Sequence, residues 1–458
     1  MSALKTPFPA HKTKLGFHYF QDTQHYRQHD LQIWLPRLQA MGASWLVLQS
    51  PANRAIPEHF ITGLIQAGIE PLIHFLLPLG QPVDLAEIEP LFAAYSHWGA
   101  RAVILYDRPN ARSAWSPQDW SQDNLVERFL DHFVPLAQLA NQHGLVVIFP
   151  PLEPGGSYWD TAFLRSALES LNRRKQTRLL QDLVLSAYAW TGGHSLNWGA
   201  GGPDRYPDAR PYLTQPDEPD QRGFRIADWY DAIACTVLGS NRPIILLGAG
   251  MTGDPLLTDA YHAYDEKHVR TSLSIADLLA GKKATDPLND NILLEPLSPA
   301  VVACSFWLLA SDPTGDFYHQ AWYRAEDKEM PIVQAFKCQA SKLVNSIREP
   351  APAQSQPESS SPAPTNQQPQ CIQHYLLLPT YDFGVAEWHL NVIRPFIRKH
   401  RPTVGFSLEE AALAAHVTVI GDELAFPEEK LSRLRHAGSI VERIQGDGTS
   451  IASQMFER

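Results

Sequence analysis

The stretch Leu183–Tyr212, LVLSAYAWTGGHSLNWGAGGPDRYPDARPY, begins as a β-type apolar run and empties into a long loop carrying Trp190, His194, Trp198, Asp204, Arg205, Tyr206, Asp208 and Arg210. Structureless connections beyond about 12–15 residues are uncommon in compact domains unless they are functional. Aromatic side chains interleaved with carboxylates, amides and guanidinium groups suit a sugar, offering flat faces for C–H stacking and hydrogen-bonding groups at the edges. The same pattern, an apolar run followed by polar residues, recurs along the chain. His18, Tyr19 and Asp22 close the first run, Arg54 follows the second, and His74 ends the third. Asp107, Arg108 and Asn110 follow the fourth, while Glu153, Tyr158, Trp159 and Asp160 follow the fifth. Tyr188 and Trp190 come from the sixth, Asp254 from the seventh, and Trp307 and Asp312 from the eighth.

The runs that must position these residues are Leu15–Phe20, Ser44–Gln49, Glu70–Leu77, Arg101–Tyr106, Leu145–Pro150, Leu183–Tyr188, Pro243–Leu247 and Val301–Leu308. Between them lie segments with apolar residues at helical spacing, such as Asp30–Met41, Pro57–Ala67, Asp123–Gln142 and Thr161–Leu171. Several end at a glycine followed directly by the next run, as at Gly42, Gly68, Gly99 and Gly144, the signature of a helix C-cap before a strand. Strands alternating with helices predict a parallel sheet, and eight units over residues 15–347 predict an α/β fold of the (β/α)8 TIM-barrel type. The competing doubly wound sheet calls for a Gly-rich phosphate fingerprint after the first strand, and none is present. In a barrel the residues after each strand converge on one face, where catalysis sits.

Composition narrows the partners. The chain has 458 residues, 44% of them hydrophobic, and 38 basic against 49 acidic side chains, for a net charge of −11. That balance argues against nucleic acid or an anionic membrane surface as partner. The four cysteines, Cys235, Cys304, Cys338 and Cys371, show no CxxC spacing, so neither a zinc knuckle nor a disulfide framework is expected. His18, His74 and His194 lie outside any HxH or HExxH pair, so no metal and no cofactor is expected. The amino terminus lacks the apolar core of a signal peptide, and no run approaches a membrane span, which points to a soluble, cytoplasmic chain. Residues 348–372, containing EPAPAQSQPESSSPAPTNQQPQ, read as a disordered Pro/Ser/Gln-rich linker. Residues 373–458 read as a small α/β domain, with HYLLLP, PTVGFS, HVTVIG and SIVERI as strands and Ala386–Lys399, Leu408–Ala415 and Pro427–Ala437 as helices.

The eight units, LYDRPN at Leu105–Asn110, SAYAW at the sixth strand and FWLLA at Phe306–Ala310 resemble glycoside hydrolases of the large clan built on a (β/α)8 barrel. The resemblance implies an acid/base Glu in an Asn-Glu-Pro motif after the fourth strand, a nucleophilic Glu at the end of the seventh, and a Trp on the eighth lining the sugar pocket. Trp307 matches the last of these. Arg108, however, stands where the acid/base Glu would be, and the seventh strand, in PIILLGAGMTGD, holds no Glu. In the tail, His416–Met455 resembles the second type of bacterial cell-wall-binding repeat, with Gly421, Gly438, Val441, Arg443, Ile444, Gly446 and Thr449 at its motif positions. That resemblance implies a cell-wall polymer as a possible partner for residues 373–458.

With the clan's pair missing, Asp107 and Glu153 are the best alternative carboxylates, since adjacent strand ends lie close together. Glycosidic cleavage needs two carboxyls about 5–5.5 Å apart to retain configuration, or about 6.5–9.5 Å apart to invert it. Glu153, within IFPPLEPGGSYW, has the apolar surroundings that would keep one of them protonated. The expected substrate contacts are His18, Tyr19, Arg54, His74, Arg108, Asn110, Tyr188, Trp190, Trp198 and Trp307. Arg222 and Arg225, just before an amphipathic helix, are expected to pin the sixth loop through Asp228 or Asp231. The leading expectation is a hydrolase of glycosidic bonds, and the competing one a non-catalytic glycan or cell-wall recognition protein on the same scaffold.

Overall fold

The computed structural model describes residues 6–9, 11–215, 217–254, 266–324 and 328–348, and in the tail 372–379, 396–397, 399–400, 402–405, 407–423, 426–436 and 438–445. The chain divides into two compact units, Met1–Pro350 and Ala351–Arg458. The segment expected to be a linker lies almost wholly outside the described residues.

Eight parallel strands form the first unit: β1 (Leu15–His18), β2 (Trp45–Ser50), β3 (Glu70–Phe75), β4 (Ala102–Leu105), β5 (Val146–Ile148), β6 (Leu185–Tyr188), β7 (Ile244–Ala249) and β8 (Val301–Phe306). Their hydrogen-bonded order is β5-β4-β3-β2-β1-β8-β7-β6, and a bridge between Ile148 and Val184 brings β5 to β6, so the ring is nearly closed. Each strand is followed by a helix of the outer layer, among them Gln28–Ala40, Glu58–Gln66, Leu85–His97, Leu125–Gln142 and Asp160–Arg173. These are strands buried on both faces, which is why they read as near-continuous apolar runs.

Alternation along the strands sorts the side chains. Trp45, Val47, Leu72, Ala102, Ile104, Ile148, Val184, Ile245, Leu247 and Ala303 fill the barrel, joined by Phe8, whose ring meets Trp45 edge-on at 5.0 Å. The residues between them, such as Leu46, Leu48, Ile73, Val103 and Val147, face the helices. The helix-to-strand glycines do what the sequence predicts. Gly99 (φ 91°) and Gly144 (φ 79°) turn the chain through a left-handed conformation open to glycine at little cost.

Asp160, the first residue of the helix Asp160–Arg173, ties three segments together. Its carboxylate accepts hydrogen bonds from Gly155 N (2.9 Å), Gln221 Nε2 (2.7 Å) and Tyr230 Oη (3.0 Å). Burial raises its pKa from 3.8 to about 6 despite those donors. The folded state therefore holds the proton more tightly than the unfolded one, and this group's contribution to stability is full below about pH 3.8 and is lost as the pH rises through 6. Urea unfolding of the native chain and of Asp160→Asn between pH 4 and 7 checks this. The native chain should lose ground to the variant as pH rises through that window, and parallel curves would remove Asp160 as the cause.

In the second unit, Thr403–Gly405, Ile372–Leu377, Ala414–Ile420 and Ile440–Ile444 form a parallel sheet in that order. Apolar clusters cover both faces, one around Tyr375, Leu377, Val417, Val419, Leu431 and Leu434, the other around Leu376, Leu378, Phe396, Ile420 and Ile444. The helix expected over Leu408–Ala415 stops at Ala411, because Ala414 already pairs with Ile372 in the ladder. Most of the helix expected at Ala386–Lys399, together with Gly446 and Thr449 of the repeat motif, lies outside the described residues.

Candidate active site

The C-terminal ends of the strands bring a charged cluster to one mouth. At the end of β4, Tyr106 (φ 69°) and Arg108 (φ 43°) both take the left-handed backbone, which bulky residues seldom adopt. Arg108 N–H donates to Pro151 O at 2.9 Å, tying this turn to the segment after β5. The turn points the Arg108 guanidinium at three carboxylates. Its Nε donates to Asp107 Oδ2 (3.0 Å), and its Nη1 lies 2.5 Å from Asp254 Oδ2 and 3.8 Å from Glu153 Oε2. Asp107 is held from its other side by Tyr188 Oη, which donates to Oδ1 at 2.6 Å.

Burial raises the Glu153 pKa; Arg108 pulls it back, while the charges of Asp254 and Asp107 push it further up. Arg108 is held charged, with Asp107 first among the groups that outweigh its burial. His18 and His74 lie buried beneath the cluster. Burial, helped by His74, pushes His18 down to about 3, and its Nε2 accepts from Gly248 N at 3.1 Å. Burial likewise lowers His74, whose Nε2 donates to Tyr106 O at 2.9 Å.

A largely buried aromatic cluster underlies the mouth. Tyr188 and Trp190 stack at 4.9 Å and 20°, and Trp307 lies 5.1 Å from His18 and edge-on to Phe317 at 5.2 Å. These rings, with Met251, Leu308 and Ala321, form one apolar cluster. Gly248 permits this: its φ is 61°, and a Cβ there would come within 3.2 Å of Tyr188 and 3.0 Å of Trp190. Trp307 Nε1 donates to Gln320 Oε1 at 2.8 Å, which fixes the indole plane. The backbone joins the sixth loop to the seventh, with Thr191 N on Met251 O (2.8 Å) and Gly192 N on Thr252 O (2.9 Å).

Of the residues expected in the site, His18, His74, Asp107, Arg108, Glu153, Tyr188, Trp190 and Trp307 gather at this mouth. Four fall elsewhere or act otherwise. Tyr19 points outward into an aromatic layer with Phe20, Tyr26, Trp34 and Phe60, because neighbouring strand residues face opposite sides. Asn110 is fully buried and grips backbone: its Oδ1 accepts from Glu153 N (2.8 Å), and its Nδ2 donates to Glu153 O and Tyr158 O. It positions Glu153. Arg54 caps the Thr23 carbonyl at 2.7 Å. Trp198 belongs to the sixth loop's own packing, stacked on His194 at 3.7 Å and 9°. Asp254, beyond the Gly-rich turn that follows the seventh run, stands out as the partner that strand-end position flags without ranking.

Among the described residues, one group has metal-ligand atoms within 4.8 Å of one another: Asp22, His25 and Asp312. Both nitrogens of His25 already face carboxylates, Nδ1 at 2.9 Å from Asp22 and Nε2 at 3.3 Å from Asp312. Burial works against the charge of His25, but the Asp22 hydrogen bond and the two carboxylates outweigh it and raise its pKa. The imidazole bridges two loops with both ring nitrogens engaged.

No family model and no curated protein matches the chain. Solved structures share its barrel. A family 39 glycoside hydrolase from Bacteroides cellulosilyticus WH2 is 11% identical over 73% of this chain and 65% of its own, with a TM-score of 0.42; the chain thus spans less than two thirds of that enzyme. A monomeric beta-xylosidase from Caulobacter crescentus CB15 is 11% identical over 72% and 68% of the two chains, at 0.45. Xylanase 10B from Thermotoga maritima is 11% identical over 73% and 97%, at 0.39. At this distance the likenesses carry no argument about chemistry, which has to come from the mouth itself.

Proposed function

We propose that the barrel mouth binds a carbohydrate and hydrolyses a glycosidic bond, with Glu153 as the acid and Asp107 as its partner. The observation that carries this reading is the convergence of Asp107, Glu153 and Asp254 on the Arg108 guanidinium at the strand ends, where burial raises the Glu153 pKa. Such a carboxyl gives its proton to the glycosidic oxygen as the bond to the anomeric carbon breaks. Asp107, held in place by hydrogen bonds from Tyr188 and Arg108, faces the positive charge that develops on the ring and takes the proton of the water that adds there. The test is a glycan array with product analysis on the intact chain and on Asp107→Asn, Glu153→Gln. Cleavage by the first and uncleaved binding by the second is the expected result. One observation favours recognition without cleavage: Arg108 sits where the clan resemblance puts an acid. Under that reading both proteins bind and neither cuts.

The aromatic cluster yields a separate expectation. Trp307→Ala removes an indole whose contribution to the sugar site is put at roughly 1–2 kcal/mol, so glycan affinity measured by calorimetry should fall about five- to thirtyfold. An unchanged affinity would take the sugar away from this face. The tail, in the same proposal, takes a cell-wall polymer. The intact chain should then sediment with purified peptidoglycan sacculi, and a chain ending at Pro350 should not. Among the described residues no helix is long and apolar enough to cross a membrane.

A further inference from the structure

A groove of about 490 Å³ runs between the loops that follow β1 and β2. Sites for small organic ligands span about 300–1,000 Å³, so the groove has room for a sugar ring rather than for a lone ion. Arg27, Arg54 and His59 line it and no carboxylate does, in a chain with 49 acidic side chains against 38 basic ones. Glu58, next to His59 in the chain, is exposed and stays outside the lining. Among the described residues no carboxylate pairs with the Arg27 or Arg54 guanidinium. Gln24 and Gln28 add side-chain amides suited to hydroxyls, and Pro51 and Ala55 add apolar surface. The walls are fixed by bonds that leave most of these donors open. Gln24 N donates to Asp22 Oδ1 (2.8 Å), Arg27 N to Asp30 Oδ2 (2.7 Å) and Ile56 N to Tyr95 Oη (2.8 Å). One Arg54 nitrogen, Nη2, ties the two loops together at Thr23 O (2.7 Å). A ligand here meets donors already in place, which spares the cost of ordering them.

From this, and resting on the carbohydrate reading above, we infer that the groove is a subsite for an acidic sugar residue, one whose ring carries a carboxylate. Both loops leave the C-terminal ends of adjacent strands, so the groove and the Asp107–Glu153 mouth share one rim, and a single glycan chain extends from one to the other. A guanidinium meets a carboxylate through two parallel charge-assisted N–H···O bonds, an arrangement that no sugar hydroxyl returns. Methyl esterification of that carboxylate erases the charge and leaves the ring, so the groove discriminates between the two forms by electrostatic complementarity.

The experiment titrates the intact chain with hexamers of galacturonate, mannuronate and glucuronate, each beside its methyl ester, and with xylan and glucan hexamers. The expected result is binding of at least one uronate about tenfold or more tighter than of its ester, weakened by added salt. Arg27→Gln and, independently, Arg54→Gln should bring that ratio close to one. Arg54→Gln also gives up the bond to Thr23 O, so Arg27→Gln, which keeps its backbone bond to Asp30, is the decisive variant. A thermal melt coincident with that of the native chain accompanies each. Binding of esters or neutral hexamers with no uronate preference overturns this inference and leaves the carbohydrate reading standing. So does a uronate preference that survives in Arg27→Gln, since the acid is then held elsewhere. No binding to any hexamer overturns both.

Discussion

Glu153→Gln should lower glycosidic cleavage by about a thousandfold and leave binding almost unchanged, because general acid catalysis contributes roughly 10²–10⁴ in rate. Gln keeps the shape and the backbone grip of Asn110 on residue 153, so the fold is untouched. What it removes is the ionisable proton. A thermal melt coincident with that of the native chain, beside steady-state cleavage of whichever glycan the array identifies, separates lost chemistry from lost structure. Cleavage within tenfold of the native rate would remove Glu153 from the reaction. The pH profile gives a second reading. The acid form of Glu153 is lost as pH rises through its elevated pKa, so activity falls on the alkaline side. Asp254 helps hold that pKa up and Arg108 pulls it down. Asp254→Asn should therefore move the alkaline limb to lower pH, and loss of Arg108 should move it higher.

Much of this geometry is legible in the amino-acid sequence. Near-continuous apolar runs separated by amphipathic segments ending in glycine specify parallel strands and their crossovers, and the barrel rule then gathers the strand ends at one mouth. Asp107, Glu153, Tyr188 and Trp307 meet there for that reason. Tyr19 marks where the sequence pattern stops short: His18 and Tyr19 are adjacent in a strand line and cannot both face the mouth, a consequence of the two-residue period that strand-end position alone overlooks. Asn110 illustrates another limit. An amide near a catalytic motif reads equally as a substrate contact or a backbone clamp, and only the carbonyl and amide of Glu153 lying within reach decide it. Asp254 is the counterpart, a carboxylate beyond a Gly-rich turn whose importance depends on how that turn bends toward Arg108, which composition does not encode.

Arg225 combines the expected role with different partners, and it sets the largest stability effect. It does hold the sixth loop, but its guanidinium takes carbonyls: Nε donates to Leu196 O and Nη1 to Pro296 O, each at 2.9 Å, and Nη2 reaches Asn197 Oδ1 and Glu295 O. The side chain is fully buried, so Arg225→Leu takes the donor away from the Leu196, Pro296 and Glu295 carbonyls without replacing it. Breaking such a buried charged network costs about 3–5 kcal/mol, and that is the loss expected in urea unfolding. Arg225→Lys should recover only part of it, since one ammonium cannot span acceptors on both the sixth loop and the segment before β8. The mouth is held separately, through Thr191 and Gly192 on the seventh loop and through Tyr188 on Asp107. Below its lowered melting temperature the Arg225→Leu protein should therefore bind glycan with native affinity. If affinity collapses together with stability, the sixth loop reaches the ligand itself, and Trp198 and His194 become the side chains that carry the contact.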